Sequence, residues 1–206
     1  MSHKDEAVVT YFAMGLGCHN KNKLKSERGQ VFDYLGMDLD YSTPGKVRIS
    51  MEKFTKKVLQ EFPEDLPTYA ESPAAEHLFK VRDEDSSVPP KPLPPARAEK
   101  FHRIVAMLLF LVARPRRDCK TAVAFLTTRV TAPDEDDWGK LRRLLRYLSR
   151  NPGLPLTLEA HDLKLIHWHV DAAFAVHADM KSHTGGSMSL GKGSAVDASQ
   201  KQKINT

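Results

Sequence analysis

"WHVDAAFAVHADMKSHTGG", residues 168–186, sets one acidic residue, Asp171, between an aromatic run and a run of small apolar residues, and follows it with a polar Gly-rich turn. A carboxylate at the centre of an otherwise hydrophobic strand is costly to bury without a partner. Asp171 therefore has three readings: an edge position facing water, a structural ion pair, or a metal-binding carboxylate in a hydrolytic site. The neighbouring histidines bear on the choice. His161, His167, His169, His177 and His183 all fall in this region, and His167-x-His169 places two imidazoles on one face of a strand, a plausible start for a zinc site. No third ligand has suitable spacing and no cysteine is near, so exposed strand histidines are the simpler expectation.

Around this stretch the chain reads as strands: "LPLTLEA", "LKLIHWHVDAAFA", "GGSMSLGKG" and "SAVDASQKQKI", separated by Gly and Asp turns. Before residues 153–162 it reads as helices. "ARAEKFHRIVAMLLFLVA" is apolar along Phe101, Ile104, Val105, Leu108, Leu109 and Val112; "RDCKTAVAFLTTRV" follows Pro115; the third segment is "APDEDDWGKLRRLLRYLSRNPG". In the third, Asp134, Glu135, Asp136 and Asp137 crowd the first turn, and Arg142, Arg143, Arg146 and Arg150 occupy the last turns, as the helix dipole favours. Pro152-Gly153 stops it. Segregated helices and strands make the fold class α+β.

Further upstream, "VFDYLGMDLDY" places Leu35, Met37, Leu39 and Tyr41 at alternate positions, "STPG" supplies a turn and "KVRISM" alternates again, which predicts a β-hairpin. "SMEKFTKKVLQEF" predicts an amphipathic helix capped by Ser50, with Phe54, Val58, Leu59 and Phe62 on one face and Pro63 beyond its end. From Glu64 to Pro95 proline accumulates, most densely in "SSVPPKPLPP". That composition predicts a linker in extended or polyproline conformation over the surface, with a polyproline ligand as the sharper alternative. Residues 1–29 are a poorly patterned lead-in.

Composition narrows the function classes. With 206 residues and 41% hydrophobic content the chain can bury a core, and a formal net charge of +5 permits a polyanionic partner without requiring one. Cys18 and Cys119 form no C-x-x-C pair, which argues against a thiolate zinc site or a disulfide framework and for a reducing intracellular compartment. The apolar run Ile104–Ala113 is far shorter than the about 20 residues a membrane-spanning helix needs. "GLG" at residues 15–17 lacks the third glycine and downstream acid of a dinucleotide loop, and there is no Gly-x-Ser-x-Gly elbow and no Walker loop. On the third helix, Trp138, Leu141, Leu144, Leu145 and Leu148 form an apolar stripe while Lys140, Arg142, Arg143, Arg146 and Arg150 project elsewhere. Those basic residues are either a solvated face paired with the four acids or a helix that tracks phosphates.

Taken in order, "DYLGM", "VRISMEKFTKKVLQEF", "SPAAEHL", the helical stretch from "FHRIV" to "LRRLLRYL", "HVDAAFAVHADMKSHTGG" and "SQKQKINT" resemble the Copia-type (Ty1/copia) retrotransposon polyprotein, over about residues 30–206. The matching part is the late reverse transcriptase running into the start of the ribonuclease H domain. The resemblance implies a partial palm-edge hairpin with its helix and Pro-rich linker over 30–95, a helical thumb and connection over 96–153, and an incomplete ribonuclease H-like sheet over 162–206. It makes Tyr34, Leu35, Gly36 and Met37 a primer-grip-like element, and turns Lys140, Arg142, Arg143, Arg146 and Arg150 toward a nucleic-acid backbone. It makes Asp171 the first of the family's metal-binding acids, for Mg2+. RNA/DNA hybrid is the implied partner, with no membrane. Two departures matter. Residues 1–29 contain no Tyr-Val-Asp-Asp pair, and the helix that carries the family's second ribonuclease H acid would follow "KQKINT". The expectation is a truncated or degraded copy, ancestrally engaged in RNA-directed DNA synthesis and RNA-strand hydrolysis, performing neither and binding Mg2+ weakly. The rival expectations are a nucleic-acid-binding remnant acting through its basic helix and an unstable fragment without activity.

Overall fold

The computed structural model describes residues 29–81 and 91–203. The chain divides into two compact units, Met1–Gln30 and Val31–Thr206, and all of the described elements lie in the second. The lead-in over residues 1–29, apart from Gly29, and the first half of "SSVPPKPLPP" lie outside the described residues, as does the end of "KQKINT".

The alternation from Val31 to Tyr41 is not one strand. It folds back on itself as β1 (Val31–Tyr34) and β2 (Met37–Asp40), with Tyr34 opposite Met37, so Leu35-Gly36 is a two-residue turn. Both turn residues have positive φ, 54° and 74°. That is the primed-turn geometry matching strand twist, and Gly36 adopts it without the steric cost that Leu35 bears. The apolar period continued through Leu35 and concealed the break. β2 then pairs with β3 (Lys46–Ser50), as the "STPG" turn predicts.

α1 (Glu52–Glu61) begins at Met51, which makes no side-chain cap; Ser50 ends β3 and does not cap the helix. Val58 and Phe62 are buried, with Phe54 and Leu59 packed beside them, as the periodicity requires. α2 (Pro95–Val112) uses Pro95 in its first turn, where the missing N–H costs nothing. Its buried face runs through Phe101, Ile104, Val105, Leu108, Leu111 and Val112; Leu109, expected inside, is 46% exposed. A 3-10 turn (Arg117–Cys119) leads into α3 (Lys120–Thr127). α4 (Glu135–Arg150) carries a reciprocal capping box between Asp134 and Asp137.

The segment after α1 is not a surface linker. Ala70 and Leu78 are buried, Leu66 and Phe79 pack on the core, and Leu93 is 7% exposed. Glu64 accepts hydrogen bonds from Trp138 Nε1 (2.7 Å), Arg97 (3.2 Å) and Arg142 (3.3 Å). Residues 91–93 bond to the residues entering α4, through Glu135 N–H to the Lys91 carbonyl and Leu93 N–H to the Pro133 carbonyl. Proline density set the expectation of a linker, and scattered apolar anchors overrode it.

The remaining strands are β4 (Leu156–Ala160), β5 (His167–Ala173), β6 (His183–Ser189), β7 (Gly191–Lys192) and β8 (Val196–Lys201). They do not form one sheet. β4 pairs with β3 and β7 pairs with β4, giving an antiparallel sheet of order β1-β2-β3-β4-β7, while β5-β6-β8 form a second sheet. Strands from both sides of residue 162 therefore share the first sheet. Gly193, with φ of 76°, makes this possible: a Cβ there would collide with the Thr157 carbonyl.

Candidate nucleic-acid and metal site

Cross-strand register sorts the second sheet into two faces. On one lie His169 and Asp171 of β5, Ser187 and Gly185 of β6, and Asp197 and Ser199 of β8. This face looks toward α3 and the turn before it: Asp197 pairs with Arg117 at 2.7 Å and Lys120 at 3.1 Å, and Ser199 Oγ donates to Thr121 Oγ1 at 3.1 Å. Trp168, Val170 and Val196 lie on the other face and are 64%, 74% and 53% exposed.

Asp171 thus stands on an edge strand, exposed, on the rim of an open cleft of about 280 Å³ shared with His169, Gly185, Asp197, Arg117 and Lys120. Its side chain makes no hydrogen bond or ion pair with any described residue. Of the opening alternatives, a structural ion pair finds no partner among the described residues, and the charge is not buried. Magnesium keeps several waters and needs one or two carboxylates together with substrate phosphates. Asp197 is occupied by two cations, and Asp179 pairs with Lys201 at 2.8 Å and Lys181 at 3.7 Å, leaving Asp171 the one free acid at the cleft among the described residues. No group of three or more metal-ligating side chains occurs among the described residues. This donor set does not fit a stably held Mg2+.

The basic residues of α4 are not one exposed face. Lys140 is 7% exposed, paired with Asp136 at 2.9 Å, bonded to the Lys80 carbonyl and set 4.6 Å over the Phe125 ring, so it takes no part in an outward surface. Arg142 reaches Glu64 and Arg143 donates to Ser72 Oγ at 3.0 Å, while Arg150 is exposed. The Nε atoms of Arg143 and Arg146 are buried with no hydrogen-bond partner among the described residues. Of the four acids, Asp136 pairs within the helix, with Lys140, while Asp137 turns to Arg129 and Glu135 to Arg97. Tyr34, Leu35 and Gly36 are exposed at the tip of the β1–β2 turn, and Met37 packs against the core.

Two of the five histidines depart from the expected exposure. His161, His167 and His169 are exposed, but His177 and His183 are 5% and 6% exposed and bonded to each other, Nε2 to Nδ1 at 3.1 Å. His183 Nε2 meets Ser199 Oγ at 2.8 Å, and the Phe79 ring lies 5.0 Å from both imidazoles. Burial, helped by Lys201 and His183, lowers the His177 pKa to about 4, and burial lowers that of His183 as well. The signal was absent from local sequence because Phe79, Thr121 and Ser199 approach from distant parts of the chain.

Against known proteins, the chain is 25% identical over 174 residues to the "Putative transposon Ty5-1 protein YCL074W" of Saccharomyces cerevisiae, an alignment covering 84% of this chain and 54% of that one. It therefore spans about half the length of that relative. No family model and no solved structure matches. No described helix is long and apolar enough to cross a membrane.

Proposed function

We propose that this chain is retrotransposon-derived and of the Copia type, corresponding to the late reverse transcriptase and the start of its ribonuclease H domain, and that it contacts nucleic acid but catalyses neither step. The likeness to the Ty5-1 protein over most of the chain supports the transposon origin. The observation that carries the inactive reading is the cleft at Asp171, where Arg117 and Lys120 neutralise the only other nearby acid among the described residues. In this reading residues 30–95, 96–153 and 162–206 are the palm edge, the thumb and connection, and the ribonuclease H-like sheet. Arg142, Arg143, Arg146 and Arg150 meet phosphates of an RNA/DNA hybrid; Lys140 serves the core.

Hybrid binding measured against salt concentration tests the contact. Replacing Arg142, Arg143 and Arg146 together with alanine is expected to lower the salt slope by up to about 0.9 per contacted duplex phosphate. An unchanged slope and affinity would return α4 to a structural role. In the same preparation, magnesium-dependent primer extension and hybrid cleavage are expected to be absent, and Asp171→Asn is expected to leave the melting temperature unchanged because its carboxylate has no partner among the described residues. Cleavage lost on that substitution would overturn the inactive reading. A fragment without any activity is the second reading, favoured by the exposed apolar face of Trp168, Val170 and Val196.

A further inference from the structure

We propose that β5 is a self-recognition edge, and that two copies of this chain pair their β5 strands antiparallel to join the two three-stranded sheets into one of six strands; this goes beyond the nucleic-acid reading and does not depend on it. β5 is the outer strand of the order β5-β6-β8, and each of its seven residues is exposed. The carbonyl oxygens of His169 and Asp171 lie against Gly186 and Gly185 of β6. Backbone groups alternate along an antiparallel strand, so Trp168, Val170 and Ala172 present theirs to the open edge. Such an edge is a template for another strand.

The sequence of β5 says which strand fits. A two-fold axis through Val170 pairs the strand over its whole length, and it sets His169 opposite Asp171 of the second copy and Asp171 opposite its His169. On the inner face this gives two imidazole–carboxylate pairs, from two side chains that have no partner among the described residues of one copy. On the outer face the large Trp168 falls opposite the small Ala172, twice, with Val170 against Val170 between them. Moving the axis to Asp171 would set like charges face to face, and moving it to His169 would leave part of the strand unpaired. Charge, size and length select the same register.

Sedimentation velocity of the full chain over a concentration series, without nucleic acid, tests the pairing. A concentration-dependent dimer is expected, lost in His169→Asp and in Asp171→His and restored in the double variant H169D/D171H, which exchanges the partners without changing the register. Val170→Cys is expected to form a disulfide-linked dimer under mild oxidation, since residues facing each other across the axis lie within disulfide reach. Ala172→Cys is not, because its two copies stand about four strand residues, roughly 13 Å, apart. A monomer at every concentration, a dimer indifferent to the single exchanges, or disulfide linkage in the Ala172→Cys variant but not in Val170→Cys would overturn the proposal. Loss of hybrid binding with the dimer intact would count against the nucleic-acid reading alone.

Discussion

Trp138→Ala is expected to cost about 3–5 kcal/mol, the range for truncating a large buried aromatic. Trp138 is 1% exposed, its ring stacks on Phe62 with centroids 5.0 Å apart, and the Arg97 guanidinium lies 4.4 Å above it. Its indole N–H also donates to Glu64 at 2.7 Å. One truncation removes the contact that binds α4 to α1, opens a cavity, and leaves Glu64 to Arg97 and Arg142. For a chain of this size the melting temperature should fall by roughly 10 °C. Trp138→Phe should recover most of the loss because the stack survives, and urea titration separates the two variants. If alanine costs no more than phenylalanine, the core is not organised around this ring.

The second large effect is on acidification. His177 has its pKa lowered to about 4 in the fold, by burial and by Lys201 and His183, against the opposing charge of Asp179. The unfolded chain holds that imidazole near its ordinary value of about 6.5. Between those values the unfolded state binds the extra proton, so stability is full above about pH 6.5 and declines as pH falls toward 4, by up to about 3 kcal/mol. Asp118, lowered against its own burial by Arg116 and Tyr147, and Asp179, lowered by its hydrogen bond with Lys201, also contribute stability that is lost in acid, and Asp137, raised by burial, acts the other way. Comparison with His177→Phe removes those shared contributions. The variant's stability should vary less with pH across this window, and parallel profiles would place the titration elsewhere.

What could be read in the sequence follows the range of the interaction. α1, α2 and α4 were legible because Val58, Phe101 and Leu141 repeat on their own helices; the acids at the start of α4 were read only through the helix dipole, and the structure makes Asp134 and Asp137 its capping box. The turn at Leu35-Gly36 was hidden by an apolar period that runs through it. Contacts between distant segments were illegible: Glu64 gave no sign that Trp138 would reach it, and β4 none that its partner was β3. At the candidate site, the exposed strand position of Asp171 is read from the structure, and the role of Lys140 in the core and the sealed pair His177–His183 needed the tertiary fold. A charge run looks the same in sequence whether its members meet water or carbonyl groups.

The stitch of β7 onto β4 bears on how the chain is made. The first sheet draws its strands from residues 31–50, 156–160 and 191–192. A ribosome delivers the amino-terminal hairpins long before either later strand exists. Until then β3 has an open edge, and the sheet cannot close in the order of synthesis. Closure of this sheet therefore waits until residues 191–192 have been made, and a nascent chain arrested near residue 153 should be sensitive to protease across its hairpins, although every residue of β1, β2 and β3 is already present.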